Sequence, residues 1–265
     1  MSEGHDSITF VGGGNMGAAL VAGLIQAGWS PSAITVVERS ADRRAVLVEQ
    51  FPGVQVADAL GSCRAGVIAV KPGDAADTCS ALSRAGATRV LSIAAGISLA
   101  VLQEAAGSDC HVVRAMPNTP ALVGEGAAGI SSSSLCTAAD LDWAESVLGA
   151  VGGVVRVDES LLDAVTAVSG SGPAYLFLFA EALVAAGIAE GLSPEVADSL
   201  VRQLLVGSGR LLQESPLSPA QLRAQVTSPN GVTARAIETL EAAEFRAIVA
   251  DTVRSAVARS RELGR

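Results

Sequence analysis

The run Ile8-Thr-Phe-Val-Gly12-Gly13-Gly14-Asn15-Met16-Gly17 constrains this chain more than any other, because spaced glycines follow a strand-like segment and open a helix-like one. Gly12 permits a tight turn, Gly14 lets the backbone approach a pyrophosphate, and Gly17 lets helix and strand pack closely. The helix N-terminus offers unpaired N–H groups to the anion. A glycine turn between strand and helix would explain the motif alone; in this full context dinucleotide binding is favoured.

Short β-rich runs alternate with helix-length segments as far as Val157. Strands are expected at Ser7–Val11, Ile34–Val37, Val54–Val56, Gly66–Val70, Arg89–Ser92 and His111–Ala115. Helices are expected from the glycine loop through Ala27, from Asp42 to about Phe51, from near Asp74, and over Leu99–Ala106. This alternation implies α/β architecture: a mostly parallel, doubly wound Rossmann-type sheet covered on both faces. Beyond Val157 the strand pattern disappears. A helix apolar almost all round is expected over Leu161–Leu192, broken by Ser169-Gly-Ser-Gly-Pro173, and Ser193-Pro194-Glu195 starts another. Further helices are expected over Pro219–Val226, Val232–Glu241 and Phe245–Leu263. The expected domains are therefore residues 1–157, dinucleotide-binding, and residues 158–265, all-α. A helix apolar on every side must be buried on every side. About 105 residues of helix can scarcely do that alone, so the second half is expected to form a dimer interface. Three of the eight aromatics, Tyr175, Phe177 and Phe179, sit on this segment.

Charge and composition narrow the partners. A formal net charge of −9 argues against a nucleic-acid footprint, which needs a basic face. The arginines between Arg254 and Arg265 read as a solvated helix face. Cys63, Cys79, Cys110 and Cys136 form no CxxC pair, and no histidine stands at metal-ligand spacing, so reduced core thiols and no metal site are expected. The polar start MSEGHDS argues against a signal peptide. The longest apolar stretch, Ala164–Ala180, is interrupted by SGSGP, so no membrane span is expected and a cytoplasmic protein follows.

The end of the second strand, Val37-Glu38-Arg39-Ser40, gives a mixed signal on the coenzyme. Glu38 stands where a carboxylate accepts from adenosine ribose hydroxyls, which favours NAD. Arg39 and Ser40 could instead hold a 2′-phosphate, and Glu38 would repel it unless turned to solvent or to Arg43. Lys71, in Ala69-Val70-Lys71-Pro72, is the one lysine among 18 basic residues. It follows the fourth strand, where strand ends face the ligand crevice, so a site role is favoured over a surface one.

The chain resembles pyrroline-5-carboxylate reductase, a family that makes proline by reducing a cyclic imine. The resemblance spans essentially the whole chain. It rests on Gly12–Gly17, Ala69–Pro72, Val113-Arg-Ala-Met-Pro-Asn-Thr-Pro120, Ala167-Val-Ser-Gly-Ser-Gly-Pro-Ala-Tyr175 and Val226-Thr-Ser-Pro-Asn-Gly-Val-Thr233, running on through Ala236-Ile237 and Leu240-Glu241. It implies a Rossmann domain and a helical dimerisation domain, with dimers sometimes joined into larger rings. It also implies NADPH as coenzyme, with NADH left open by Glu38. Coenzyme contacts carry over to Gly12, Gly13, Gly14, Asn15, Met16, Gly17, Arg39, Ser40, Ala69, Val70, Lys71, Pro72, Ile93, Ala94 and Ala95. In the resemblance Thr233 hydrogen-bonds the substrate nitrogen, and Ser228, Asn230, Gly231, Val232 and Thr233 form the carboxylate turn. Three departures stand out. Glu38 is the first, since family members commonly prefer NADPH. Arg64 replaces an acidic residue, and an asparagine reaching the adenosine side has no counterpart near Val56–Asp58.

The residues read the same way on their own. Ser228-Pro229-Asn230-Gly231 is a turn leading into a helix, so the N–H groups of Val232 and Thr233 should face an anion. The alternative is that Ser228 and Thr233 merely cap that helix. Asn118 suits either a substrate contact or a proline-stiffened turn, and His111, in an apolar strand, reads as a core residue. The glycines of Ser169–Gly172 suit close packing, with Ser171 left open. Three rivals share parts of the pattern. The β-hydroxyacid dehydrogenases need a lysine beyond residue 71, which this chain lacks. A reductase of another cyclic imino acid fits the same cradle, and a non-catalytic nucleotide sensor would have no use for a second anion site.

Overall fold

The computed structural model describes residues 7–264; Met1–Asp6, which carry most of the polar start, and Arg265 lie outside it. The sheet half runs β1 (Ile8–Val11), α1 (Asn15–Gln26), β2 (Ile34–Val37), α2 (Ala41–Gln50), β3 (Gln55–Ala57), β4 (Ala65–Ile68), α3 (Ala75–Arg84), β5 (Arg89–Ser92), α4 (Leu99–Ala106), β6 (His111–Met116), β7 (Gly126–Ser132), α5 (Ala138–Gly149) and β8 (Gly152–Arg156). Eight strands form one sheet in the order β3-β2-β1-β4-β5-β6-β7-β8. β7 runs antiparallel to β6, and the other pairings are parallel. The doubly wound class expected from the alternation is therefore the class observed.

Burial on both faces explains the strand sequences. Every residue of β4, Ala-Gly-Val-Ile, is buried, as a central parallel strand requires. One face packs against α1, α2 and α5 through Leu20, Leu24, Leu47 and Leu148. The other packs against α3 and α4 through Cys79, Leu82, Leu99 and Leu102. The four cysteines are free thiols. Burial pushes Cys79 up to about 11 and is the largest of the effects that push Cys110 up to about 12, which keeps both protonated and inert near neutrality. Local signals fix the helix starts: Ser98 Oγ accepts from Val101 N–H at 3.3 Å, and Thr137 with Asp140 closes a capping box before α5. Asp140 Oδ2 also lies 2.8 Å from His111 Nδ1, so His111 is tied into this cap.

The chain divides into two compact units, but not at Val157, where the strand pattern ends. One unit continues to Ser171 and takes the chain back from Ala256; the other is Gly172–Ser255. The stretch after β8 stays with the sheet because Leu162 and Ala167 are buried. The amide of Asn118 also donates to Ser169 C=O at 3.0 Å. Within the same unit Ser260 Oγ donates to Asp163 Oδ1 at 2.6 Å.

The break expected at Ser169–Pro173 does not occur. α6 (Leu162–Val165) passes through a π-helical turn, Thr166–Gly170, into α7 (Gly172–Ala189). Ser171 N–H reaches back five residues to Thr166 C=O at 2.8 Å, and the hydroxyls of Thr166 and Ser169 bond the carbonyls of Leu162 and Val165. The glycines thus widen the helix rather than end it, and Gly170 lets Met116 approach closely. The whole helix, Glu159–Ala189, is long and apolar enough to cross a membrane by length and composition. The second unit adds α8 (Pro194–Glu214), α9 (Pro219–Gln225), α10 (Val232–Ala242) and the first half of α11 (Phe245–Leu263). Ser193 and Ser218 cap α8 and α9.

Candidate functional site

The order of the sheet reverses between β1 and β4, and a crevice opens at the C-terminal ends of these strands, as such a switch point requires. Gly12 sits there at φ +107°, and a Cβ on it would lie 2.4 Å from Ala69 C=O. A Cβ on Gly17 would lie 2.4 Å from Gly12 C=O, so both glycines are demanded by the backbone. Nothing lies within 4 Å of the Cβ position of Gly14. Gly14 caps α1 without a side-chain hydrogen bond, so the helix N-terminus stands open above it. A cleft of about 660 Å³ runs past this point, lined on one wall by Gly12, Gly14 and Glu38 and on the other by Ala69, Val70 and Lys71. A backbone cradle that side chains would fill, an uncapped helix terminus and a cleft of this volume fit a dinucleotide.

Glu38 is turned neither to solvent nor to Arg43. Its two carboxylate oxygens accept from Gly13 N–H and Ser40 N–H, each at 2.9 Å. Burial would raise its pKa, but the N–H groups of Ser40, Gly13 and Arg39 and the charge of Arg43 outweigh it and hold the carboxyl below its ordinary value. Arg43 Nε instead donates to Gly13 C=O at 2.6 Å, and Arg44 donates to the carbonyls of Glu38 and Arg39 at 2.9 and 2.8 Å. Ser40 Oγ caps α2 by accepting from Arg43 N–H at 3.3 Å. Arg39 extends over the cleft and pairs with Asp74 at 2.7 Å.

Lys71 is exposed at the cleft wall, and no carboxylate among the described residues pairs with it. Pro72 starts a 3₁₀ turn directly after it. Ile93, Ala94 and Ala95 follow β5; Ile93 N–H bonds Ile68 C=O at 3.1 Å and Ala94 is buried. Asp58, Asp77 and Thr78 also line the cleft and were not singled out from the sequence. Their signal was position alone: Asp58 directly follows β3, and Asp77 and Thr78 lie in the first turn of α3. Asn118 is buried and engaged at both ends, with Ala127 N–H donating to its Oδ1 at 2.8 Å. It braces β7 against the π turn, which is the structural one of its two readings.

The second unit carries the other candidate residues. Gly231 N–H bonds Ser228 C=O at 3.0 Å to close the turn, and Asn230 takes the left-handed conformation at φ +54°. Gly231 is the N-cap of α10 and no side chain caps it, so neither Ser228 nor Thr233 plays the capping part. Val232 is 90% exposed and Thr233 is exposed beside it. A helix of 11 residues thus begins with open N–H groups beneath a serine-bearing turn.

A dinucleotide cradle on a doubly wound sheet, joined to a helical unit in which α10 begins uncapped, defines a nicotinamide-dependent oxidoreductase of the two-unit kind. Residues 7–96 match the family described as NADP oxidoreductase coenzyme F420-dependent, and residues 159–263 match pyrroline-5-carboxylate reductase dimerisation. The pyrroline-5-carboxylate reductase of Mycobacterium tuberculosis is 39% identical over 99% of this chain and 98% of its own length. That of Pseudomonas aeruginosa is 41% identical over 97% and 96%. Among solved structures, a pyrroline-5-carboxylate reductase from Coxiella burnetii covers 98% of this chain and 99% of its own at TM-score 0.93 and 36% identity. Pyrroline carboxylate reductase of Plasmodium falciparum with NADP bound covers 99% of each chain at TM-score 0.82 and 29% identity. The chain belongs to the pyrroline-5-carboxylate reductase family.

Proposed function

We propose that this protein reduces L-1-pyrroline-5-carboxylate to L-proline, the last step of proline biosynthesis, with NADPH or NADH. The open N-terminus of α10 beneath the Ser228–Gly231 turn carries this reading, because it is built for a carboxylate and sits on a chain that also has a dinucleotide cradle. When bound, the coenzyme would supply the hydride for the imine carbon. The first unit would hold it: Gly12–Gly17 would receive the pyrophosphate, Glu38, Arg39 and Ser40 would meet the adenosine ribose, and Ala69–Pro72 with Ile93–Ala95 would line its path. Lys71 contributes a positive charge at the crevice.

The second unit orients the substrate. The N–H groups of Val232 and Thr233 and the hydroxyl of Ser228 hold the carboxylate, with Asn230 and Gly231 shaping the turn. The imine nitrogen needs a proton as the carbon takes hydride. A threonine hydroxyl is a weak acid, so Thr233 Oγ1 relays a proton from water or hydrogen-bonds an imine that arrives protonated. A different cyclic imino acid would fit the same cradle, since it recognises an anion rather than a ring size.

The working form is a homodimer built through the helical unit. Leu176, Phe177 and Leu178 on α7 are 58%, 62% and 67% exposed in the single chain, and such a helix requires a cover. A second copy is favoured over a bilayer because residues 159–263 match a dimerisation family. Higher rings and a cytoplasmic setting accompany this reading.

The test is loss of reduced-nicotinamide absorbance when purified protein meets pyrroline-5-carboxylate and either coenzyme. Turnover with proline as product is expected. Tight coenzyme binding without turnover would contradict it. Thr233→Ala should lower kcat while leaving the coenzyme Kd unchanged; unchanged kcat would remove Thr233 from the chemistry.

A further inference from the structure

An ion pair crosses the end of the cleft that follows β2. Arg39 Nη2 donates to Asp74 Oδ2 at 2.7 Å, joining the second residue beyond β2 to the residue that opens α3. Both side chains line the cleft, and they are 81% and 49% exposed, so the pair is bound by geometry and not by burial. We propose that Asp74 determines coenzyme choice: it occupies Arg39, the guanidinium that a ribose 2′-phosphate would need, and so favours the coenzyme with a free 2′-hydroxyl. The proposal rests on the cleft being the dinucleotide site.

Two observations carry it. The nearby arginines are held off the cleft: Arg43 donates through Nε to Gly13 C=O and Arg44 through Nη1 to the carbonyls of Glu38 and Arg39, and neither lines it. Arg39 is therefore the guanidinium on this wall that lines the cleft. The second observation is the surrounding charge. Glu38, Asp58, Asp74 and Asp77 line the cleft against Arg39 and Lys71, and Glu38 is fixed in place by Gly13 and Ser40. A 2′-phosphate brings between one and two further negative charges into this excess of carboxylates. It must also draw Arg39 from Asp74 to gain a forked pair. A 2′-hydroxyl leaves the pair closed and meets no repulsion.

The test uses the intact protein and two fragments, 5′-AMP and 2′,5′-ADP, titrated calorimetrically at low salt. Asp74→Asn should tighten 2′,5′-ADP by about fivefold, the scale of one unscreened charge contact in water, and shift 5′-AMP by less than about twofold. Adding Arg39→Gln to the same chain should remove most of that gain. An equal change for both fragments, no change for either, or a gain that survives Arg39→Gln would overturn the role of Asp74. Binding of neither fragment to the wild type would overturn the coenzyme reading as well, so the two failures are distinct. With NADH and NADPH, the ratio of KM values should move in the same direction as the fragment affinities.

Discussion

In the sheet unit, α1 buries seven of its 12 residues, whereas α7, though more apolar, buries none of its 18. The first helix has a sheet to pack on, and its sequence is apolar because the fold covers it. The second is apolar too, without a cover in its own chain. Composition alone therefore does not say where a helix is buried. In this protein burial separates a unit that completes its core from one that leaves an apolar helix uncovered, and the two candidate sites are divided the same way. The dinucleotide cradle is braced by buried strands. The Ser228–Gly231 turn stands among exposed helices.

A charge placed on each unit gives the largest contrast. Phe177→Asp should abolish the dimer in sedimentation velocity and with it turnover, since loss of one apolar anchor costs on the order of 2–3 kcal/mol on each side of a twofold interface. Val48→Asp, on an α2 valine that is 57% exposed, should change melting temperature and association little. A Phe177→Asp protein that stayed dimeric would show that α7 is not covered by a second copy.

Next in size is Gly12→Ala. The φ of +107° and the 2.4 Å approach to Ala69 C=O leave no room for a methyl group, so strain of about 1–3 kcal/mol is expected, seen as a lower melting temperature and weaker coenzyme binding. Gly207→Ala on α8, where nothing lies within 4 Å of the Cβ position, should not destabilise the chain.

The smallest effect is in pH. Burial would raise the pKa of Asp140, but the N–H and hydroxyl of Thr137 and the ring of His111 outweigh it and hold the carboxyl below its ordinary value. The folded state thus binds this proton more weakly than the unfolded chain. The stabilisation is present above the unfolded value, about 4, and is lost as pH falls through the lower folded value. Asp140→Asn should flatten the dependence of melting temperature on pH below about 4. An unchanged slope would remove Asp140 from the acid response.

How much was legible follows from how local each cause is. β2, β5, α4 and α11 lie where the pattern places them, because each is bounded by its own turn or cap. β7, Gly-Ala-Ala-Gly-Ile-Ser-Ser, carries one branched apolar residue, and its strand form comes from pairing with β6 and β8 rather than from propensity. β8 is an edge strand with a glycine at φ +152° and little burial, so its pattern was equally faint. The glycine loop could be read because Gly12 and Gly17 answer to backbone crowding in the loop itself. The grip of Glu38 on Gly13, the brace from Asn118 to Ser169 and the pair between Arg39 and Asp74 span 25, 51 and 35 residues. No spacing rule reaches that far. The π turn escaped notice for another reason: glycines that suggest a break also permit a wider helix.

The proposed role of the α10 terminus, recognition of the carboxylate on a cyclic imine, is read from kcat/KM for pyrroline-5-carboxylate against that for 1-pyrroline, the same ring without the carboxylate, under saturating coenzyme. Losing a charge-assisted contact to Val232, Thr233 and Ser228 should lower kcat/KM by about a hundredfold. Equal efficiency with the two imines would show that the α10 terminus does not hold the carboxylate.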